Sequence, residues 1–401
     1  MLADLDPLMQ QSGIDTLIVP MHEALHPSFR WLSRGAKVTR GYAVKRAGED
    51  PFLVTYPMER EEAAATGLRV HLVSEFDHER IFRESETQTA AYAQLFDLIL
   101  RAAKSGKRIS FLGNLPFHLY FGIAEEMAVH GWEIHRPSGE DLLQKARKRK
   151  DPWEIDAIAS VGRRTEEVVD EVRAVLRESH IERGRVVYES KPLRLGDLKD
   201  LVSFEIARRG MIEDHETILS QGRDAAIPHS RGDREAMVEP SLPIVLDIFP
   251  LDRSSGYFFD LTRTFCVGRA SEELRRLHSE VLEAFQRAAR EMRPGVPAST
   301  YQAQTCDFFE ERGHPTTRTN PATLEGYVHS LGHGVGLDIH EKPFFSLLPT
   351  NRDMIEVGDV VTIEPGLYYP DRSLGVRIED TFVVEEGGVR SLCSGAYDLE
   401  P

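Results

Sequence analysis

Residues 329–343 read HSLGHGVGLDIHEKP and bring three histidines, His329, His333 and His340, close together in the chain. Imidazole nitrogens can bind metals, transfer protons or hydrogen-bond a substrate near neutral pH, although a lone histidine is more often structural. On a helix the spacing would place all three rings on one face. The interleaved glycines would each cost about 1 kcal/mol inside a helix. We therefore expect a strand or tight turn, in which backbone or a bound group can come close.

Four acids stand in the apolar bodies of strand-like runs. They are Asp247 in IVLDIF, Asp260 in YFFDLTRTF, Glu364 in VVTIEPG and Glu379 in GVRIED. Burying an isolated carboxylate is costly, so such an acid is normally protonated, paired or bound to a cation. For any one acid, exposure to solvent or pairing with Arg263 or Arg377 would be a sufficient explanation. Four of them beside a glycine-flanked histidine favour a metal site.

Four carboxylates and one imidazole form a hard, oxygen-rich ligand set. This set suits Mn²⁺ or Co²⁺, accepts Zn²⁺ or Fe²⁺, and carries enough negative charge to neutralise two divalent ions. Two such ions about 3.5 to 4 Å apart would hold a water molecule and lower its pKa towards about 7. The residues therefore predict a centre that activates water for hydrolysis.

The elements that must position these groups divide into two parts. Residues 1–148 alternate short apolar runs (DTLIVP, GYAVKRAGEDPFLVTYP, LRVHLVSEF) with a helical stretch over 89–103, which predicts a small α/β domain. A polar segment with prolines, HRPSGEDLLQKARKRKDP, marks the boundary. Asp151, Pro152 and Glu154 then form a capping-box-like helix start, and apolar residues recur at helical spacing from Ile155 to Val175. This helix opens a second domain, residues 149–401.

The second domain is rich in predicted strands. They are SLPIVLDIFP, GYFFDLTRTFCVG, DVVTIEPGLYY and LGVRIEDTFVVEEGG, with a helical stretch over 271–292. The turn signal DRSSG between two of these runs predicts a hairpin that places Asp247 and Asp260 on neighbouring strands. The predicted fold class is therefore α/β (α+β).

Composition excludes several classes of protein. The 401 residues, 41% hydrophobic and 28% charged, are typical of a soluble protein with two domains. A net charge of −16 argues against binding nucleic acid or an anionic membrane. The basic run KARKRK, Lys145–Lys150, is expected to be a solvated linker face rather than a nucleic-acid patch.

Cysteine usage and the N-terminus predict a cytoplasmic protein. Cys266, Cys306 and Cys393 are odd in number and widely spaced, which argues against disulfides and a thiolate metal site. The start MLADLDPLMQQ lacks the features of a signal peptide, and no apolar run approaches the roughly 20 residues that span a bilayer.

The ligand set, taken in order and in context, carries a resemblance. Asp247, Asp260 in FFDLTRTF, His333 in LGHGVG, Glu364 in TIEPGLY and Glu379 in GVRIED resemble the pita-bread metallopeptidases: methionine aminopeptidase, aminopeptidase P and prolidase. The match spans residues 150–395, and the first part looks like the creatinase-type N-terminal domain of prolidases and aminopeptidase P. The resemblance implies this α/β domain followed by a pita-bread catalytic domain. It also implies that Asp260 and Glu379 bridge two metals, with Asp247 on one and His333 and Glu364 on the other.

The same resemblance implies roles for the groups that surround the metals. Glu364 would move the proton of the attacking water, and His340 would stabilise the tetrahedral intermediate. His229, in GRDAAIPHS, would lie by the leaving proline. His329 resembles a substrate-side histidine, with a structural hydrogen bond as the alternative. Arg377 is expected at the substrate site, where it would support a metal-binding acid.

Two departures from the family pattern lie beside the ligands. The loop between Asp247 and Asp260 is longer than usual, and Phe249 and Pro250 follow Asp247 where a glycine is common. Both concern the geometry of the hairpin and replace none of the ligands.

The function implied is that of a dinuclear-metal exopeptidase acting on small peptides with proline in second position. The creatinase-type domain argues against methionine aminopeptidase, and the HEKP ending of the histidine motif favours prolidase, an Xaa-Pro dipeptidase. Aminopeptidase P, which cuts longer peptides, is the alternative. A metal-free scaffold relative or a creatinase is disfavoured because all five ligands persist. A dipeptidase must also bind a C-terminal carboxylate, for which Arg352 and Arg372 are candidates, and homodimers are common among similar proteins.

Overall fold

The structure, a computed structural model, describes residues 4–22, 26–135 and 141–401. The chain divides into two compact units, Met1–Arg147 and Lys148–Pro401. The sequence places a domain boundary between residues 148 and 149, and this assignment stays a prediction. Residues 136–140, part of the polar segment behind that assignment, lie outside the described residues. Within the described ranges, every helix is too short or too polar to cross a membrane.

Helices and strands alternate in the first unit. Its helices are α1 (Leu5–Ser12), α2 (Pro27–Leu32), α3 (Arg60–Ala64), α4 (His78–Glu84), α5 (Gln88–Ala102), α6 (Phe117–Val129) and α7 (Leu142–Lys148), whose last residue begins the second unit. Its strands are β1 (Thr16–His22), β2 (Arg40–Arg46), β3 (Phe52–Thr55), β4 (Arg69–Leu72), β5 (Arg108–Phe111) and β6 (Glu133–Ile134). The strands predicted in this region and the helix predicted over 89–103 are confirmed.

One mixed sheet organises this unit. The strand order is β4-β3-β2-β1-β5-β6. Strand β2 pairs antiparallel with both β1 and β3, and the pairs β3-β4, β1-β5 and β5-β6 are parallel. Apolar residues of alternate strand positions, among them Ile18, Val44 and Val54, are buried together with Phe96 and Ile99 of α5. The unit therefore has its own core, as expected for an α/β domain.

The second unit opens on the predicted long helix. Its helices are α8 (Pro152–Glu178), α9 (Leu195–Arg208), α10 (Glu272–Glu291) and α11 (Ala298–Glu310). At the start of α8 the Glu154 carboxylate accepts a hydrogen bond from the backbone N–H of Asp151 at 2.6 Å, which confirms the capping box. The Ser271 hydroxyl caps α10 by accepting from the N–H of Leu274 at 3.1 Å.

Short antiparallel sheets make up the rest of this unit. The strands are β7 (His180–Glu182), β8 (Arg185–Tyr188), β9 (Lys191–Pro192), β10 (Met211–Ile212), β11 (Ile218–Gln221), β12 (Pro243–Ile248), β13 (Leu251–Asp252), β14 (Leu261–Cys266), β15 (Val360–Ile363), β16 (Gly366–Tyr369), β17 (Leu374–Arg377), β18 (Asp380–Glu385) and β19 (Gly388–Ser391). The sheets are β7-β8-β9, β10-β13, β11-β12-β14, β15-β18-β19 and β16-β17. Leu277 and Val281 of α10 are buried in one core with Val361, Ile363 and Phe382. Both units thus confirm the predicted α/β class.

The predicted hairpin is present despite its longer loop. Strands β12 and β14 pair antiparallel, with Asp247 opposite Thr262. The chain turns at 253–256, where the N–H of Gly256 donates to the carbonyl of Asp252 at 2.8 Å. The residues beyond Pro250 include β13, which pairs with β10 in a sheet of its own.

The basic run Lys145–Lys150 corrects an expectation. Arg147 and Lys150 are each only 3% exposed, so the run is solvated only in part, at exposed residues such as Lys145 and Arg149. The Lys148 ammonium lies 2.9 Å from Asp359 and 2.6 Å from Glu356. Acids far along the chain thus compensate for the desolvation of Lys148, which no local pattern reveals. The three cysteines are free, as expected.

Candidate metal centre

The four acids reach a common region from one strand and from the ends of others. Asp247 lies within β12, Asp260 directly precedes β14, Glu364 separates β15 from β16, and Glu379 separates β17 from β18. The expectation that each acid stands in the body of a strand is therefore right for Asp247 only. At a strand end the backbone leaves the ladder, so a side chain there can turn towards a site that strict alternation would deny it.

The histidine motif is an irregular loop, as its glycines predict. Gly334 forms isolated bridges to Glu341 and to Val361, which hold the loop against itself and against β15. A Cβ at Gly332 would lie 2.2 Å from the carbonyl oxygen of Thr362, and one at Gly334 equally close to that of Lys342. The glycines thus allow backbone to approach backbone, and this packing fixes His333.

His333 faces the acids. Its Nε2 lies 3.3 Å from Glu364 Oε1 and 3.6 Å from Asp260 Oδ2. One ligand atom from each of Asp260, His333 and Glu379 falls within 4.8 Å of the others, close enough to bind one ion. The His333 Nδ1 lies 3.0 Å from the carbonyl oxygen of Gly334, and this contact leaves Nε2 free to act as a ligand.

Carboxylate oxygens in this cluster are buried without partners. Among the described residues, Asp247 Oδ1, Asp260 Oδ1 and Glu379 Oε1 have no hydrogen-bond partner. The other oxygen of two of these acids is anchored: Arg377 binds Asp247 Oδ2 at 2.5 Å, and the Thr262 hydroxyl donates to Glu379 Oε2 at 2.6 Å. An orphaned carboxylate oxygen is strongly unfavourable unless a cation meets it. The donor set therefore fits divalent metal ions.

The charges lead to the same conclusion. Burial and the neighbouring acids raise the pKa of Asp260 and of Glu379 well above their usual range. Burial raises the pKa of Glu364 to about 8. Arg377 is the one guanidinium bound to a carboxylate of these acids in the described part of the chain, and it cannot balance four carboxylates. Additional positive charge is required to keep them ionised at neutral pH.

A cavity of about 480 Å³ opens onto this cluster. His340 and His229 are exposed to it. The rings of His333 and His340 lie 4.3 Å apart at 74°. Desolvation lowers the pKa of His340, so its ring is neutral near pH 7. Phe249, the departure from the family pattern, also lines the cavity.

His329 and Arg377 also line the cavity but are engaged with protein groups. His329 Nδ1 lies 2.8 Å from the carbonyl oxygen of Ser330, and its Nε2 lies 2.9 Å from the Tyr368 hydroxyl. Arg377 donates to Asp247, to the Tyr368 oxygen at 2.9 Å and to the carbonyl oxygen of Pro228 at 3.2 Å. This geometry supports the structural hydrogen bond for His329 and a bracing role for Arg377.

The two arginines expected to bind a substrate carboxylate do not reach the cavity. Arg352 donates to the carbonyl oxygens of Pro349 and Asn351 in its own loop, and Arg372 pairs with Glu273. Sequence reasoning missed the cavity residues His215, Glu216 and Arg231, which do line it. Two signals could have found them. Arg231 follows His229 by two residues, and His215 and Glu216 stand just before β11, the strand that pairs with β12.

The sequence is similar to those of known peptidases. The model of metallopeptidase family M24 matches residues 156–386. An Xaa-Pro dipeptidase from Pyrococcus furiosus is 29% identical over 329 residues, which cover 82% of this chain and 85% of that protein. A probable dipeptidase PepE from Mycobacterium tuberculosis is 31% identical over 261 residues, 65% of this chain and 62% of that protein.

Solved structures share the fold along the whole chain. The Xaa-Pro dipeptidase from Bacillus anthracis has a TM-score of 0.78 at 22% identity, covering 100% of this chain and 99% of that one. The X-Pro aminopeptidase from Thermotoga maritima has a TM-score of 0.76 at 22% identity, covering 98% and 99%. At such identity the similarity establishes the fold and no more.

Proposed function

The chain belongs to metallopeptidase family M24, and from this premise we propose that it is a dinuclear Xaa-Pro dipeptidase, or prolidase. The observation that carries the proposal is the set of buried, unpartnered carboxylate oxygens gathered with His333 beside the cavity. The relatives named as dipeptidases, matched over most of the chain, support dipeptides as substrates.

We assign five metal ligands. Asp247, Asp260, His333, Glu364 and Glu379 would together hold two divalent ions. The oxygen-rich set favours Mn²⁺ or Co²⁺, with Zn²⁺ or Fe²⁺ compatible. Bound ions of this kind polarise a scissile carbonyl and lower the pKa of water. The proximity of Asp260, His333 and Glu379 supports the assignment.

Three side chains would then act on the substrate. Glu364 would accept the proton of the attacking water and pass it to the departing nitrogen, because an amine leaves poorly as an anion. His340, neutral and 4.3 Å from the His333 ring, would donate a hydrogen bond to the oxygen on which charge develops. His229, on the cavity wall, would contact the leaving proline.

Arg377 would position catalytic groups. Its guanidinium connects Asp247 to Tyr368 and to the carbonyl of Pro228, the residue before His229. A planar guanidinium with several fixed donors is suited to such bracing. His329, tied to Tyr368, would support the same network.

The test compares Ala-Pro with Ala-Pro-Ala as substrates for protein loaded with Mn²⁺ or Co²⁺. We expect cleavage of the dipeptide only, loss of cleavage on chelation, and two equivalents of metal in the active protein. Cleavage of the tripeptide only would identify an aminopeptidase P. Absence of both metal and cleavage would indicate a scaffold relative. A homodimer and a cytoplasmic location are predictions from the sequence.

A further inference from the structure

The cavity wall carries a guanidinium that the proposed chemistry does not use. Arg231 lines the cavity, and its side chain is 58% exposed. It pairs with Glu216, with 3.5 Å between Arg231 Nη1 and Glu216 Oε2. At this distance and exposure the ion pair is weak, so an entering carboxylate can compete for the guanidinium.

Glu216 is already balanced by another cation. Its Oε1 lies 3.0 Å from the ammonium of Lys199, a side chain only 4% exposed. The hydrogen bond from Lys199 lowers the pKa of Glu216. Because one carboxylate is shared between two cations, the group of Lys199, Glu216 and Arg231 has one positive charge in excess. Arg231 is the member that presents this charge to the cavity.

Other arginines near this wall are committed elsewhere. Arg377 binds Asp247. Arg234 pairs with Asp200 at 2.6 Å and lies outside the cavity lining. Within the described part of the chain, the guanidiniums that line the cavity are those of Arg231 and Arg377. Arg231 is therefore the one available to a substrate.

The backbone holds Arg231 beside the site assigned to the leaving group. Arg231 follows His229 by two residues. The next residue, Gly232, has φ of +74°, and a Cβ there would lie 2.5 Å from the carbonyl oxygen of Leu219 in β11. Because only glycine fits this contact, the turn is pressed against the strand that pairs with β12. The turn that carries His229 thus also carries Arg231.

We propose that Arg231 binds the terminal carboxylate of a dipeptide substrate and so selects dipeptides over longer peptides. The inference rests on the proposed Xaa-Pro hydrolysis. In a dipeptide the leaving residue itself bears the free carboxylate, so the group that binds it must stand next to the group that contacts that residue. A guanidinium can form two parallel hydrogen bonds with a carboxylate. The neutral amide of a longer peptide at the same place would leave the charge of the guanidinium uncompensated.

The experiment uses the full-length, Mn²⁺-loaded protein with Ala-Pro and its neutral analogue Ala-prolinamide. Arg231→Met should lower kcat/KM for Ala-Pro by about 10- to 150-fold, mainly through KM, because a charge-assisted hydrogen bond is lost. Cleavage of Ala-prolinamide should stay as in the wild type. Arg231→Lys should recover part of the activity on Ala-Pro. The matched control Arg234→Met should leave both substrates unaffected.

A second measurement needs no catalysis. Calorimetric titration should show that Arg231→Met weakens binding of proline and leaves binding of prolinamide unchanged. Equal losses on both substrates, or an unchanged KM for Ala-Pro, would overturn the role of Arg231 while Xaa-Pro hydrolysis stands. A wild-type protein that cleaves neither substrate would overturn the proposed function as well.

Discussion

The buried ion pair between Lys150 and Glu341, next to the histidine loop, allows a direct test of how buried charges affect the stability of the fold. The Lys150 ammonium lies 2.8 Å from Glu341 Oε2, and the two side chains are 1% and 6% exposed. The other Glu341 oxygen accepts a hydrogen bond from the N–H of Asp338 at 3.1 Å. Because Glu341 directly follows His340, the pair anchors the loop that presents this histidine to the cavity.

Lys150→Met would remove this ammonium from the buried Glu341 carboxylate. Loss of one partner of a buried pair costs about 3–5 kcal/mol of unfolding free energy. At about 2–4 °C per kcal/mol for a unit of this size, the melting temperature should fall by roughly 6–20 °C. Lys150→Met/Glu341→Met, which removes both charges, should recover part of the loss because the buried carboxylate is removed together with the ammonium.

Urea unfolding, followed by circular dichroism, measures the change in the free energy of unfolding, and thermal unfolding measures the change in melting temperature. The control is Arg390→Met, which removes an exposed pair with Glu385 whose side chains are 54% and 52% exposed. That variant should lose no more than about 1 kcal/mol. If Lys150→Met lost as little as the control, or if the double variant were less stable than the single one, the reasoning about this pair would be wrong.

The remaining predictions concern the metals, the oxyanion and pH. Asp260→Asn should abolish binding at both metal sites, measured by elemental analysis, and full activity in that variant would refute the ligand assignment. His340→Ala should lower kcat by about 10²- to 10³-fold with metal content unchanged, whereas loss of metal would mean that His340 is a ligand. Burial raises the pKa of Asp359 to about 6. The buried, protonated side chain therefore adds fully to the free energy of unfolding below the unfolded-state pKa, and this addition is lost as pH rises through about 6. Asp359→Asn should therefore gain on the order of 3 kcal/mol relative to the wild type between pH 4 and pH 7 in urea unfolding, and a constant difference would contradict the shift.

The acids of the site could be found in the sequence because the signal is local and strong. A carboxylate such as Asp247 inside an apolar run is costly wherever the run folds, so its presence demands a counter-charge. The sequence did not indicate which cation pairs with it. Arg263 and Arg377 were equal candidates, and the structure pairs Arg377 with Asp247 and Arg263 with Asp380.

The histidines were recognisable as a group but not one by one. Glycine spacing predicted a turn, and the loop has that form. The hydroxyl of Tyr368, which engages His329, comes from another strand 39 residues away. Hydrogen-bond partners at such separation depend on sheet pairing, which a linear pattern does not contain.

Charged residues outside apolar runs were where sequence reasoning failed. In KARKRK a solvated face was expected, yet Lys150 is buried against Glu341, 191 residues along the chain. Arg352 and Arg231 both stand in polar loops and look alike in the sequence, but only Arg231 lines the cavity. The sequence alone therefore indicates the α/β fold class, a candidate ligand set and the class of chemistry, because burial costs and periodicity act over a few residues. The fold decides which charges pair and which one is left for a substrate, because electrostatic energy depends on distance and desolvation in space.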